Sequence, residues 1–272
     1  ILSMFCLSIN DMTYKYLSFH FPVWESVFFR ALSGSIIALI LTIYFGFNKL
    51  KTKKPLGHLI RAFSASGCVV FYIYGINNLM LSENIAIAHS APIIAAFLAV
   101  PILGERIGIL RTSAILIGFI GVLIIVKPGT DLFKLESLYP LISACFMASV
   151  YLSTRSVMST DSSVAIIFYY SFALLITSLV FFPKDFIMPN IGQILIASSL
   201  GIMGSLGHFF MSQAAKYADV AVTSPFEYSS FIFVGLMGFL IFAEVPTYSI
   251  YLGGFIIIFS GIFIAYRERK NN

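Results

Sequence analysis

Residues 79–105 read LMLSENIAIAHSAPIIAAFLAVPILGE, and residues 218–244 read ADVAVTSPFEYSSFIFVGLMGFLIFAE. Each segment opens on a short polar turn, runs through a long apolar stretch broken by a proline, and stops on a glutamate, Glu105 or Glu244. A second apolar stretch follows each one. Setting Glu105 on Glu244 gives a repeat of 139 residues, about half of the 272-residue chain.

Working outward, the whole chain has the same character. Hydrophobic residues make up 59% and charged residues 11%, and the mean hydropathy is +0.94. Soluble domains carry about 25% charged residues, so these charges are too few to cover a water-facing surface. The net charge of +5 does not point to nucleic acid, because the basic residues fall in loops between apolar runs, where they set membrane orientation. Cys6, Cys68 and Cys145 lie far apart inside apolar runs and read as small buried hydrophobes rather than as a disulfide framework or a metal site. No cofactor or metal is expected. The chain starts at Ile1 in the middle of an apolar run, which implies that a native start and a helical turn precede it.

The apolar runs predict an all-α polytopic membrane protein with ten helices, at about 1–17, 23–46, 59–79, 84–103, 107–126, 135–155, 163–182, 191–214, 219–242 and 247–266. Runs of about 20 apolar residues are the length a bilayer crossing needs, and helices satisfy their own backbone in hydrocarbon. With the N-terminus in the cytoplasm, twelve Lys and Arg residues (Lys49, Lys51, Lys53, Lys54, Arg61, Arg106, Arg111, Arg155, Lys216, Arg267, Arg269 and Lys270) fall on the cytoplasmic side. Lys127, Lys134 and Lys184 fall opposite. This asymmetry predicts that both termini are cytoplasmic. Each half, 1–127 and 135–267, then contains five spans. Five is odd, so the second half enters the membrane upside down relative to the first, which is the inverted repeat of many secondary transporters.

The segments FFRALSG (28–34), LIRAFSASG (59–67), LGERIG at the end of the first repeat segment, IGFIGVLI (117–124), AAKYADVAVTSPFEYSS (214–230) and FAEVP (242–246) resemble the drug/metabolite transporter superfamily in its EamA branch. The resemblance covers essentially the whole chain. It implies ten helices in two inverted five-helix repeats, a bacterial inner-membrane location, and alternating access without ATP. The stretch SINDMTYKYL (8–17) and the arginine-bearing second helix carry a narrower resemblance to the S-adenosylmethionine uptake proteins of obligate intracellular bacteria.

Charged side chains inside a bilayer are costly, so each is a functional candidate. Arg30 suits a carboxylate or phosphate of a substrate through its planar fork; pairing with Asp11 or Glu227 is the structural alternative. Asp11 and Lys15, at i and i+4, share a helix face and either neutralise each other or line a site for a cationic group. Glu227 follows Pro225, and a buried glutamate there is a candidate for a cationic group or a coupled proton. In the 139-residue register Tyr228 falls on His89, close to Pro92. Matched proline-broken helices point to a central site between the halves. Tyr74 and Tyr170 are candidates for stacking on a ligand cation. His208, in a run with glycines every third residue, reads as packing, and Trp24 as an interfacial anchor. Glu83, Asp219, Glu105 and Glu244 read as structural.

These residues suit an amino-acid-like zwitterion, including S-adenosylmethionine, while export of amino acids, metabolites or drugs fits the same frame. The implied partners are the bilayer and a small-molecule substrate, with no nucleic acid; a homo-oligomer is compatible. An integral-membrane enzyme acting on lipids would need acids or a His/Asp constellation gathered at one face, whereas the acids here are scattered. The sequence also lacks a phosphate-binding Walker loop.

Overall fold

The computed structural model describes residues 1–103, 109–127, 133–158, 160–183, 186–217 and 224–271, and all of the regular structure among them is helical. In chain order the α-helices are α1 (Leu2–Ser18), α2 (Val23–Phe45), α3 (Pro55–Asn78), α4 (Leu81–Ala88), α5 (Ala91–Leu103), α6 (Ile109–Val126), α7 (Leu138–Met158), α8 (Ser163–Val180), α9 (Ile191–Tyr217), α10 (Ser230–Phe242) and α11 (Tyr248–Asn271). Short 3-10 turns occupy Phe47–Leu50, Leu135–Ser137 and Ser224–Ser229. Among the described residues, five helical stretches are long and apolar enough to cross a membrane, within Val23–Phe45, Pro55–Asn78, Leu135–Thr154, Ser163–Val180 and Ile191–Met211.

Local chemistry sets the ends of these helices. Pro55 stands at the start of α3, where a missing N–H costs nothing. The Ser162 hydroxyl caps α8 by accepting from the Ala165 amide at 3.2 Å. Glu25 lies in the first turn of α2, where its charge complements the helix dipole. Gly46 ends α2 with φ +90°, a conformation that glycine adopts without a Cβ clash.

The sequence predicts one helix over 84–103, and the structure breaks it in two. α4 stops at Ala88, Ser90 accepts the first bond of the next helix from the Ile94 amide, and α5 begins at Ala91. Pro92 explains the break. Its ring would strike the carbonyl of residue 88 in a continuous helix, whereas in the first turn of α5 its missing N–H leaves no bond unmade. The predicted ninth helix is likewise not continuous, because a 3-10 turn over Ser224–Ser229 precedes α10. α5 and α10 each have 13 residues, and Ala91–Leu103 maps onto Ser230–Phe242 with the same 139-residue displacement that aligns Glu105 with Glu244. Glu105 itself and Asp219 lie outside the described residues.

The two halves interleave instead of standing as separate bundles. α2 packs on α8, α4 on α10 and α6 on α11. The other main contacts come in pairs that exchange when the halves are exchanged: α3 on α7 with α1 on α9, α3 on α8 with α2 on α9, and α5 on α7 with α1 on α10. One apolar core gathers around Tyr14, Leu17, Val27 and Ile73, and the other around Ile87, Val122, Ile125 and Ile257. Phe231 packs against both.

Polar contacts fasten the two ends of the molecule. At one end Lys15 pairs with Glu244 at 3.0 Å and donates to the carbonyls of Ile76 (3.0 Å) and Leu79 (2.6 Å). Glu244 also accepts from the Leu81 amide at 2.7 Å, capping α4. The left-handed turn at Ala243, φ +53°, leads directly into that glutamate. Lys15 is thus paired with Glu244, not with Asp11 four residues before it. At the other end Asp161 accepts from Thr52 and meets His58 Nε2 at 2.8 Å, tying the loop after α2 to the loop before α8. The Thr52 hydroxyl, together with Thr160 and His58, holds the Asp161 carboxyl well below the usual carboxylate range.

Candidate functional site

Arg30 sits two turns into α2 and is only 8% exposed. Its Nη1 donates to Asn10 Oδ1 of α1 at 2.8 Å, and its Nη2 donates to the Tyr170 hydroxyl of α8 at 3.2 Å. The guanidinium carbon lies 5.8 Å from the centroid of the Tyr14 ring, a cation–π contact. Among the described residues no carboxylate lies within ion-pair distance of Arg30.

The glycines of α9 make this arrangement possible. A Cβ at Gly204 would come within 3.2 Å of Arg30 Nη1, and one at Gly201 would strike the Ser33 side chain. A Cβ at Gly207 would meet Leu7 at 2.7 Å. The glycine run therefore lets α9 lie close against α1 and α2, as its three-residue spacing predicts. Asn10 Nδ2 donates to the Leu200 carbonyl of the same helix at 2.6 Å. His208, one helical turn beyond Gly204, has its ring 6.2 Å from that of Tyr170.

Asp11 points elsewhere. Its Oδ2 accepts from the Tyr72 hydroxyl of α3 at 3.0 Å. Asn10 and Asp11 are adjacent on α1, and the 100° turn between them sends the neutral amide toward α2 and α9 and the carboxylate toward α3. A guanidinium that seeks a carboxylate and a carboxylate that seeks a cation thus flank one helix, with tyrosine hydroxyls on both sides.

A second cluster forms at the breaks in the two repeat segments. His89 Nε2 lies 2.8 Å from Ser230 Oγ, its ring stacks on Phe231 at 5.1 Å, and the Tyr228 ring is 5.4 Å away. The register that aligns His89 with Tyr228 therefore also joins them in space. A Cβ at Gly261 of α11 would run into the Tyr228 hydroxyl, so that glycine makes the room the ring occupies.

Of the residues singled out from the sequence, Arg30 and Tyr170 meet each other, as do His89 and Tyr228, and Asp11 stands beside the first pair on α1. Tyr74 lies apart from Arg30's bonding partners. Its ring is 5.4 Å from that of Tyr139, and it lines an apolar cleft of about 310 Å³ with Trp24, Phe71 and Phe146. Trp24 stacks on Phe181 at 4.7 Å. The Glu227 side chain lies outside the described residues. Tyr14, Tyr72 and Ser230 are additions. Asn10 and Tyr14 stand at i and i+4 on one face of α1, a signal available in the sequence. Tyr72 and Tyr74 lie on nearly opposite faces of α3, and nothing in their spacing says which faces inward.

The profile of the EamA-like transporter family matches residues 1–127 and again residues 135–267. The chain belongs to the EamA-like transporter family. It is similar to the S-adenosylmethionine uptake transporter of Rickettsia prowazekii, at 30% identity over 100% of this chain and 92% of the relative. It is also similar to a riboflavin transporter of Vibrio cholerae, at 31% identity over 83% of this chain and 76% of the relative. A pseudopaline exporter of Pseudomonas aeruginosa is 26% identical over 99% of this chain and 95% of that protein. A crystal structure superposes with a TM-score of 0.66 at 14% identity, covering 100% of this chain and 98% of the other, and supports the fold alone. The chain is thus a multi-pass membrane protein and a small-molecule transporter, not an enzyme.

Proposed function

We propose that this EamA-family chain is a secondary transporter that carries an amino-acid-like or S-adenosylmethionine-like zwitterion across a bacterial inner membrane by alternating access. In this reading ten crossings form two inverted five-helix repeats, 1–127 and 135–267, with both termini cytoplasmic. The helix contacts that exchange with the halves, and the equal 13-residue helices α5 and α10, support a two-fold relation between the repeats. Contacts at each end join only loops that this threading puts on one side: Glu244 with Leu81, and Asp161 with Thr52.

One observation carries the substrate class. Arg30 is buried, held by neutral groups from α1 and α8, and without a carboxylate partner among the described residues. An unpaired charge in a low-dielectric interior is costly unless an anion completes it. Arg30 therefore takes the substrate carboxylate. Asp11 takes a cationic group, and Tyr170, which accepts from Arg30, takes part in shaping the site. His89 and Tyr228 shape the seam where the broken helices meet, Tyr74 stacks on the ligand when the bundle rearranges, and Glu227 takes part in binding or proton coupling.

The Rickettsia relatives favour uptake of S-adenosylmethionine, whose amine, sulfonium and carboxylate match these charges. The pseudopaline exporter supports a second reading, export of a metabolite through the same site. A thermal-shift screen of the purified protein against amino acids, S-adenosylmethionine, nucleotides and organic acids tests the class, because a ligand that binds the folded state raises the melting temperature. Carboxylate-bearing zwitterions should produce the shift. A shift with nucleotides or organic acids and with no zwitterion would contradict the reading.

A further inference from the structure

We infer that Asn10 is a charge-neutral positioning residue for Arg30, and that its neutrality keeps the guanidinium available to a substrate carboxylate. This rests on the reading of Arg30 given above. Asn10 is 2% exposed and its amide is committed at both ends. Nδ2 donates to the Leu200 carbonyl at 2.6 Å, and Oδ1 accepts from Arg30 Nη1 at 2.8 Å. The carbonyl can only accept and the guanidinium can only donate, so the amide has one workable orientation. A flipped amide would set oxygen against oxygen at Leu200 and N–H against N–H at Arg30. The α9 backbone thereby fixes Asn10, and Asn10 fixes one nitrogen of Arg30. Tyr170 fixes another from α8.

An aspartate at position 10 would occupy the same volume, but it would do two different things. It would set a carboxylate oxygen against the Leu200 carbonyl, and it would neutralise Arg30 with an internal ion pair. The chain does carry a carboxylate one residue away, at Asp11, yet that group is turned to Tyr72. The two neighbours thus separate the tasks, with a neutral group orienting the cation and a charged group facing α3.

The test compares S-adenosylmethionine with its decarboxylated analogue, which keeps the sulfonium and the amine and lacks only the carboxylate. Binding of each to the purified full chain is measured by calorimetry. Wild-type protein should prefer S-adenosylmethionine by about 30-fold, the worth of one charge-assisted carboxylate contact. Asn10→Asp should erase that preference by lowering affinity for S-adenosylmethionine, while affinity for the decarboxylated analogue holds or rises. A purely structural role predicts equal losses for both ligands, and Asn10→Asp retaining the wild-type preference would overturn the inference. If Asn10→Asp does not yield folded protein, Asn10→Ala and Asn10→Ser decide. A selective loss of S-adenosylmethionine binding of about 10-fold supports the role, and equal loss of both ligands overturns it. Wild-type protein that shows no preference for the carboxylate would overturn the reading of Arg30 itself, and the positioning role with it, a result distinguishable from failure of the variants alone.

Discussion

Lys15 and Arg30 are buried cations on neighbouring helices, and the fold surrounds them in opposite ways. Lys15 is saturated: Glu244 balances its charge, and the Ile76 and Leu79 carbonyls take two more contacts. Arg30 receives an amide oxygen, a phenol and an aromatic face, and among the described residues no carboxylate lies within ion-pair distance of it. The first arrangement joins the ends of α1, α3 and α10 and the start of α4. The second joins helices from both halves around a charge that asks for an anion. Burial alone therefore does not separate a structural cation from a functional one; the identity of the partners does.

The contrast is broken most strongly at Arg30. Arg30→Gln should weaken binding of S-adenosylmethionine by about 100-fold or more, since losing one member of a buried charge contact costs several kcal/mol. Its melting temperature without ligand should stay close to wild type. Glu244→Gln should do the reverse. Lys15 would be left buried without a balancing charge, at a cost of about 3 kcal/mol, seen as a lower melting temperature, while ligand affinity of the folded protein is retained. A smaller effect is expected at the seam. His89→Ala removes the contact to Ser230 and the stack on Phe231, a loss of about 1–2 kcal/mol in stability, and should slow transport more than it weakens binding. The smallest effect belongs to the far end. Because the Asp161 carboxyl is held below its ordinary value, its contribution is fully present above about pH 4 and is lost as pH falls toward the depressed value. Asp161→Asn should therefore lower the melting temperature slightly across the neutral region, flatten the acid limb of the profile, and meet the wild-type curve at low pH.

Much of this was legible in the sequence, because the lipid environment imposes simple rules. Apolar run length located the helices, and the 139-residue register located the matched segments and the His89–Tyr228 contact. The proline at 92 marked a break, although periodicity alone drew a continuous helix through it. Partner choice was less legible. The i, i+4 spacing of Asp11 and Lys15 favours a local pair, yet Glu244, distant in sequence, takes Lys15 because the turn at Ala243 delivers it there. Long-range pairing of this kind depends on helix packing, which spacing does not encode. Tyr72 and Tyr74 pose the same difficulty: both lie on an apolar helix, and only the placement of α1 and α7 around α3 decides which one meets Asp11.

In the proposed reading, transport needs no ATP and runs through Arg30. Counterflow in liposomes containing only the purified protein tests it most directly, with unlabelled S-adenosylmethionine inside and a trace of labelled solute outside. Label should accumulate transiently with wild-type protein and not at all with Arg30→Gln reconstituted at the same density. Equal accumulation by both would contradict that reading.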